Sequence, residues 1–507
     1  MASFFTRWTY SYNNRYNATY TYRYDGSSNF GPNNRWAGFH SVAASWRFTE
    51  EEFMKDVNWL SNGKLRIGWG QTGNSNIGGY RWGSGISKME SIFGISYRPS
   101  NIANPDVKWE TQEQWNIGLD LGFFKDRLNF TFEWYNKESR DMLMLKQVPS
   151  YMGINENTNG SIRLEAPFGN FGHIRNRGVE FTIDAHPLVG KFEWDLNFNI
   201  SHNKNTLVSL NDGSGNKSLI GWGQWSDVVT ESKVGESLYS FYGYKTDGIY
   251  TSLEDIENSP KPQAAPSDGV YKRTSTVWVG DIKYKDLNGD NVINTEDRTN
   301  IGSPMPKFTF GFTNTFRYKN FDLTLFLNGS VGNKILNYNA ITLTHMYSSW
   351  TNQTKNISDR AILVPIDPNK DYSQGTILRP DGSVIENWYD DITNVKVKNP
   401  DAGLPRPSLY GDPNDNDRIS DRYIEDGSYL RVRNISLGYT FPKQMLSKAK
   451  IESLRLYTNI QNLWTITGYS GYDPEVGVST TSANVYGLDN GRYPSPTTYS
   501  VGVNLTF

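Results

Sequence analysis

The residues with the most defined chemistry in this chain form a short polar segment between positions 286 and 297. Calcium loops place oxygen ligands at positions 1, 3, 5, 9 and 12 and a backbone carbonyl at position 7. This spacing selects as candidate Ca²⁺ ligands Asp286, Asn288, Asp290, the Val292 carbonyl, Asn294 and Asp297. Asn291 replaces the usual glycine and the last ligand is Asp rather than the longer Glu, so a plain turn is the alternative.

Aromatic side chains in long polar stretches form a second set of candidate ligand-binding residues. They are Trp222, Trp225, Tyr347 and Trp350. Tyr and Trp rings combine an apolar body with a polar tip, which suits stacking against sugar faces. The alternative is that these rings pack the loops against each other or against a partner protein, since long loops must bury something to stay ordered.

Catalytic motifs are absent from the sequence. It contains no His-Glu-x-x-His, no Gly-x-Ser-x-Gly and no Walker loop, and its 5 His residues are scattered without ligand spacing. The absence of Cys removes disulfides and thiol chemistry. A net charge of −2 gives no electrostatic case for binding nucleic acid. We therefore predict that the chain is not an enzyme and has no cofactor other than the candidate Ca²⁺.

Alternating hydrophobicity runs through the whole chain in about thirteen segments. In the final segment, Tyr499, Val501 and Val503 fall on one face of a strand, and Ser500 and Gly502 fall on the other. One face suits lipid and the other suits water. A soluble β-sandwich or propeller also alternates in this way, so periodicity by itself does not decide the fold.

The joins between the segments favour a transmembrane antiparallel β-barrel. Short joins, at 124–127, 187–190, 319–320 and 442–450, alternate with long ones, at 73–113, 136–176, 202–306, 332–426 and 465–493. Outer-membrane barrels have short periplasmic turns and long extracellular loops. The join 49–63 is an exception, in which Thr49 and the acidic residues after it predict a short capped helix of one or two turns.

Composition agrees with a barrel. No stretch approaches the roughly 20 apolar residues of a spanning helix, while aromatic residues, which form girdles at membrane interfaces, make up 14% of the chain. The first residues contain no signal peptide, and strand pattern begins almost at once. About thirteen strands fall short of the roughly 22 of plugged transporters. We expect further strands to come from another part of a longer or split protein.

Several blocks resemble the SusC/RagA-type TonB-dependent transporters of Bacteroidota. In the order in which the family has them, they are Asp25–Phe30, Leu65–Asn74, Asn176–Glu180, Tyr244–Tyr250, Gly280–Gly311, Tyr429–Tyr439 and Asn459–Leu463. The resemblance covers nearly all of residues 1–507 but only the C-terminal half of the family. It implies that the signal peptide, N-terminal extension, TonB box and plug lie outside this chain.

The resemblance also implies a function. The chain is expected to form the later strands of a 22-strand barrel in the bacterial outer membrane, in contact with lipid. The whole transporter would import oligosaccharides, or else peptides, under a SusD-like surface lipoprotein, driven by TonB–ExbB–ExbD. A passive porin and a soluble secreted glycan-binding β-protein are the rival classes.

Overall fold

A computed structural model of the protein describes residues 1–146, 148, 152, 164–210, 217–222, 227–347, 352–409, 411–447, 450–476 and 485–507. Its main element is a 13-stranded sheet. The strands are β1 (Ala2–Tyr12), β2 (Tyr16–Gly26), β3 (Trp36–Arg47), β4 (Leu60–Asn74), β5 (Glu110–Phe123), β6 (Leu128–Leu145), β7 (Phe168–Leu188), β8 (Phe192–Leu210), β9 (Phe308–Tyr318), β10 (Phe321–Val331), β11 (Tyr429–Thr440), β12 (Ser453–Thr467) and β13 (Thr498–Thr506).

Each strand of the main sheet pairs with the strands that precede and follow it, and every pairing is antiparallel. The predicted fold class and the strand number are therefore confirmed. Consecutive antiparallel pairing places the connections alternately at the two ends of the sheet. The short turns share one end, and the long segments 75–109, 211–307, 332–428 and 468–497 share the other.

The tight turns rely on backbone conformations that few residue types adopt. Asn13 and Asn14 between β1 and β2 have φ angles of 50° and 54°, as the two central residues of a type I′ hairpin require. Phe124, Lys125 and Asp126 between β5 and β6 all have positive φ as well. These conformations let the chain reverse within a few residues and fix the register of the strands on either side.

The join 49–63 contains the one or two helical turns that the sequence predicts, but the predicted cap is wrong. The chain forms two 3₁₀ turns, Phe48–Glu50 and Glu52–Met54, neither of which has a side-chain cap. The extended backbone of Glu51 separates them, and its carboxylate accepts hydrogen bonds from Tyr16 and Trp46. Thr49 accepts a hydrogen bond from the Gly63 amide at 3.1 Å, so its hydroxyl contacts the next strand instead of a helix terminus.

The two faces of the sheet differ as the alternation predicts. Apolar side chains such as Ile67, Ile117 and Phe132 are about two-fifths exposed on one face, where cross-strand neighbours are also apolar. Polar side chains and ion pairs occupy the other face, among them Arg66 with Asp120 at 2.8 Å. An apolar outer face and a polar inner face are the pattern of a barrel wall in lipid.

The long connections fold into a compact unit that we call the loop cap, defined as the described residues of 211–307 and 332–428. It has short strands at Lys217–Trp222, Asp227–Lys233, Ser240–Gly243, Thr246–Ile249, Ile282–Tyr284, Thr299–Gly302, Lys334–Asn337, Leu363–Pro365, Val395–Val397 and Ile424–Asp426. Its helices are α1 (Leu253–Glu257) and α2 (Tyr338–Thr344). Outside the cap lie a hairpin (Ile86–Ser91 with Gly94–Pro99), a short helix α3 (Lys443–Leu446) and a two-residue strand (Leu488–Asp489). No helix in the described ranges is both long and apolar enough to cross a membrane.

The largest hydrophobic core of the described chain lies in the loop cap and not in the sheet. Trp278, Tyr250 and Tyr284 are almost completely buried there, packed with aliphatic residues of both loops such as Ile282 and Val395. A second core joins Phe241 and Leu336 of the cap to Leu488, which follows β12. Burial of this much apolar surface explains how such long loops hold a defined structure.

Candidate functional site

A pocket of about 490 Å³ lies where the polar face of the sheet meets the long loops, and we call it the mouth pocket. Its residues are Pro304, Pro306, Thr309, Ser330, Asn333, Lys334, Ile335, Tyr429, Arg433, Pro474, Glu475, Val476, Tyr486, Gly487, Arg492 and Ser495. This volume falls within the usual range for small-molecule sites, about 300 to 1,000 Å³.

Strand register places the floor of the mouth pocket on the polar face. Thr309 of β9 pairs with Ser330 of β10, which pairs with Tyr429 of β11. The neighbouring pair, Phe308 and Val331, points the other way and is more than two-fifths exposed. The pocket therefore lies on the polar face of the sheet, at the end where the long loops begin.

An ion-pair network fixes the wall of the mouth pocket that follows β12. Arg431 is 2% exposed and bonds the carboxylates of Asp473 and Glu475, the latter at 2.7 Å. Arg433 reaches the same Glu475 carboxylate at 3.0 Å. The amide of Ser495 donates to Asp473 at 3.0 Å, which ties the later part of this loop to its beginning. Charge-assisted bonds of this kind hold loop residues in a defined position.

The chemistry of the mouth pocket suits binding more than catalysis. Tyrosine rings and prolines offer apolar surfaces, while Ser330, Asn333 and Ser495 offer hydroxyl and amide groups. Glu475 supplies a carboxylate to the lining of the pocket, and this carboxylate forms ion pairs with Arg431 and Arg433. Aromatic and hydroxyl groups side by side can stack on sugar rings or peptide side chains and hydrogen-bond their polar edges.

Of the four aromatic residues predicted to bind ligand, Tyr347 is the one whose side chain is described, and it is not among the residues of this pocket. Trp225 and Trp350 lie outside the described residues, as does the side chain of Trp222, which ends a short strand. Tyr347 is 45% exposed, and its ring meets that of His345 edge-on at 5.5 Å. Their role in stacking against a sugar stays a prediction.

The candidate calcium loop forms a tight turn that its own carboxylates stabilise. The oxygens of Asp286 accept hydrogen bonds from the amides of Gly289 and Asn291, at 2.6 and 2.7 Å. The fully buried Asp297 accepts from the amides of Leu287 and Asn294, both at 2.8 Å. Asn291 takes the positive φ of 63° that its place in the loop requires.

Other candidate ligands of the calcium loop also bond within it. Asn288 Nδ2 donates to Asp290 at 3.0 Å, and the Val292 amide donates to the other oxygen of Asp290 at 2.9 Å. Within the described ranges no group of three or more His, Asp or Glu side chains is arranged to hold a metal ion. Calcium binding therefore stays a prediction, and the plain turn accounts for the hydrogen bonds.

The most perturbed acids lie inside the loop cap, away from the mouth pocket. Asp281 and Arg406 form an ion pair with side chains 1% and 2% exposed, with Nε and Oδ1 2.9 Å apart. Burial and the nearby charges of Asp281 and Asp417 raise the pKa of Asp412 to about 7. Burial raises the pKa of Asp417 to about 6. These groups are embedded in a structural network in which Asn416 hydrogen-bonds both Asp281 and Asp412.

Sequence reasoning missed the residues of the mouth pocket. Tyr429 and Arg433 lie in the block Tyr429–Tyr439, which was noted only for its resemblance to a family, and Tyr486 lies in none of the resembling blocks. The available signal was their position, because Tyr429 begins a strand that follows a long loop. Tyr429 lies near Thr309 only because of the strand register, which cannot be read from the sequence alone.

A family model described as "TonB dependent receptor-like, beta-barrel" matches residues 1–244. The chain is 34% identical over its full length to TonB-dependent receptor P3 of Formosa agariphila, of which it covers 45%. It is 30% identical to TonB-dependent receptor SusC of Bacteroides thetaiotaomicron, again over its full length and over 44% of that protein. The chain thus spans about half the length of the curated relatives that it matches.

The fold also matches a solved structure, that of the RagAB peptide transporter. The superposition covers 100% of this chain and 47% of that one, with a TM-score of 0.73 and 24% sequence identity. At this identity the likeness establishes the fold alone, which is that of an antiparallel barrel wall with long loops.

Proposed function

We propose that the chain belongs to the SusC/RagA-type TonB-dependent receptors of the outer membrane, as the family model and the similar relatives support, and that it forms the later wall and outer loops of an oligosaccharide importer. The mouth pocket carries this proposal. It lies on the polar face of the wall, next to the loop cap, where a molecule entering from outside would meet the barrel interior. Binding groups on loops held by a rigid scaffold are the usual arrangement for recognition.

The partners of the whole transporter follow from this assignment. A SusD-like lipoprotein would cover the loop cap and the mouth pocket, and an N-terminal plug would close the barrel from inside. TonB–ExbB–ExbD would act through that plug, and the apolar face of the sheet would contact outer-membrane lipid. In this scheme residues 1–507 supply wall and recognition surface and carry out no chemical step.

Calcium binding at residues 286–297 is part of the proposal. Asp286, Asn288, Asp290, Val292, Asn294 and Asp297 would provide carboxylate, amide and carbonyl oxygens, the ligand types that Ca²⁺ prefers. The positive φ of Asn291, at the position where a calcium loop usually has glycine, supports the proposal. A bound ion would stabilise the loop cap beside its largest core, since Ile293 is buried there.

Peptides are the second candidate cargo, because the matching solved fold is that of a protein named a peptide transporter. The hydroxyl and amide groups of Ser330, Asn333 and Ser495 would serve a peptide backbone as well as a sugar. The distinguishing group is the pair Tyr429 and Tyr486, whose rings suit the flat apolar faces of sugar units.

The test measures uptake by cells that produce the full-length transporter, using labelled oligosaccharides and labelled peptides of similar size. We expect Tyr429→Ala and Tyr486→Ala to raise the half-saturating oligosaccharide concentration about 3- to 10-fold, as loss of a stacked ring predicts. Tyr499→Ala is the matched control, because Tyr499 lies on the outer face and is 69% exposed.

Three results would contradict parts of the proposal. Uptake of the labelled peptides but not of the labelled oligosaccharides would show that peptides are the cargo. Uptake that continues after the proton-motive force is collapsed would indicate a passive porin. Unchanged oligosaccharide uptake in both pocket variants would show that the mouth pocket is not the binding site.

A further inference from the structure

The apolar outer face of the sheet ends in two positive charges that lie opposite each other on β7 and β8. On this face Phe181 pairs with Ile200, and four residues further towards the long loops Arg177 pairs with Lys204. Both cationic side chains are exposed. The strand register therefore brings a guanidinium and an ammonium group together just beyond the apolar rows.

The position of this pair along the strands corresponds to the surface of a membrane. Lys204 follows Phe192, the first residue of β8, by 12 residues. At ~3.3 Å per residue along a strand tilted by ~40°, Lys204 lies about 30 Å above Phe192, while the apolar band of an outer-membrane barrel is about 25 Å tall. Trp115 of β5 lies in the same row, because it pairs with Asn136, which pairs with Arg177. Aromatic residues of this kind mark the interface where lipid headgroups begin.

The acids on this part of the outer face are occupied by other cations. Glu138 accepts hydrogen bonds from Arg140 at 2.7 Å and from Arg175 at 2.8 Å. Glu113, which pairs with Glu138, is 3.8 Å from Arg140. These carboxylates are therefore neutralised by arginines other than the opposed pair.

The opposed pair itself lacks a counter-ion. Arg177 donates one long hydrogen bond, at 3.4 Å, to the neutral side chain of Asn136. Neither Arg177 nor Lys204 forms an ion pair with any residue that the structure describes. Like charges directly opposite each other destabilise a pair of strands. An anion bound between the two side chains would turn this repulsion into attraction.

We propose that Arg177 and Lys204 bind a phosphate group of an anionic glycolipid in the outer leaflet of the outer membrane. This inference rests on the proposed function, which places the apolar face of the sheet in that membrane. The Cβ atoms of opposed residues are ~4.5–5.5 Å apart, so the planar guanidinium and the ammonium group can contact one phosphate together.

Continuity with the apolar rows favours a lipid headgroup over a soluble anion. The acyl chains of a bound glycolipid would cover Phe181 and Ile200, which lie below the charged pair on the same face. A soluble phosphate would gain the charge interaction alone and would leave these side chains as they were. One lipid molecule thus satisfies both the charged pair and the apolar rows beneath it.

Native mass spectrometry of the full-length transporter, purified in detergent and stripped of lipid, tests the proposal. The probes are lipid A with two phosphates and the same lipid after both phosphates are removed. We expect the bisphosphorylated form to bind about 10-fold more weakly to the double variant Arg177→Gln with Lys204→Gln than to wild type, as loss of charge-assisted bonds predicts. Lys125→Gln is the matched control, because Lys125 is exposed in the turn at the opposite end of the sheet.

The rate of thermal unfolding in heat-modifiability gels separates lipid binding from a structural role. Without lipid, the double variant should unfold no faster than wild type, because its substitutions remove a repulsion. Addition of bisphosphorylated lipid A should slow unfolding of the wild type and leave the rate of the double variant unchanged. A double variant that already unfolds faster without lipid would assign the two side chains a structural role and overturn the proposal.

Other outcomes distinguish this inference from the proposed function. Wild-type protein that is found in outer membranes but binds both forms of lipid A equally would overturn the phosphate site alone. Wild-type protein that does not fractionate with outer membranes would overturn both. Unchanged lipid A binding by the double variant, together with a change in its oligomeric state, would assign the pair to contact with a second copy of the chain.

Discussion

The buried ion pair of the loop cap gives a quantitative test of how the cap is stabilised. Asp281 accepts hydrogen bonds from the amide of Trp278 at 2.8 Å and from Asn416 at 3.3 Å, in addition to its pairing with Arg406. Arg406→Met keeps most of the side-chain volume but leaves the Asp281 carboxylate buried without its cation. Breaking a buried pair in this way costs about 3–5 kcal/mol.

This cost converts into a change in local opening of the cap. At roughly 1.4 kcal/mol per factor of ten, the backbone amides of Trp278 and Ile282 should exchange about two to three and a half orders of magnitude faster in Arg406→Met. Hydrogen exchange followed by mass spectrometry on the full-length transporter measures this directly. Burial raises the pKa of Asp281, so protonation at low pH lets this carboxyl escape the penalty, and the effect of Arg406→Met should grow as the pH rises.

Two further variants make the result interpretable. Lys272→Met removes the cation of a partly exposed pair with Asp381, whose side chains are 42% and 29% exposed, and pairs of that kind contribute about 0–1 kcal/mol. The double variant Asp281→Asn with Arg406→Met should recover much of the protection because no charge remains buried. Exchange in Arg406→Met within about threefold of wild type, or a double variant no better than the single one, would refute this reasoning.

Three other predictions concern the cap and the last strand. The pKa of Asp412 is raised to about 7, so its contribution to the stability of the cap is fully present below its ordinary pKa of 3.8 and is lost as the pH rises through about 7. The amides of the cap should therefore be better protected from exchange at pH 5 than at pH 8, and Asp412→Asn should reduce that difference. Calcium titration of the full-length transporter, followed by terbium luminescence or calorimetry, should give a dissociation constant of ~10⁻⁴ to 10⁻³ M that Asp290→Ala abolishes; unchanged binding would place the ion elsewhere. Deletion of 499–507 removes nearly all of β13, whose pairing with β12 runs from Thr498 to Thr506, and should abolish barrel assembly; normal outer-membrane levels of the deleted protein would contradict this.

The sheet could be predicted because strands in a barrel wall repeat a two-residue pattern. Alternation and the predicted joins placed strands at 128–135 and 191–201, and the structure extends these strands to Leu145 and Leu210. The predicted joins 136–176 and 202–306 are therefore too long. At the join 49–63 the helical turns were predicted but the cap was not found, because Thr49 accepts a hydrogen bond from the Gly63 amide and Glu51 contacts neighbouring strands.

The loop cap and the mouth pocket could not be predicted in the same way. Trp278 and Tyr250 lie in irregular segments without periodicity, so nothing in the sequence marks them as the centre of the largest core. The mouth pocket brings together Thr309, Tyr429 and Tyr486 from distant parts of the chain. Only the pairing of β9, β10 and β11 makes them neighbours, and pairing partners across a long loop are not local information.

The shared core of the two cap loops limits how such a transporter can change its specificity. Residues from both 211–307 and 332–428 interlock in one hydrophobic interior, as Tyr284 and Val395 do. If a single loop is replaced by that of a relative, half of the core residues would pack against side chains that do not fit them. Mismatched core packing of this kind lowers stability by several kcal/mol. A functional chimaera with a new binding surface therefore requires both loops to be exchanged together, as a single unit.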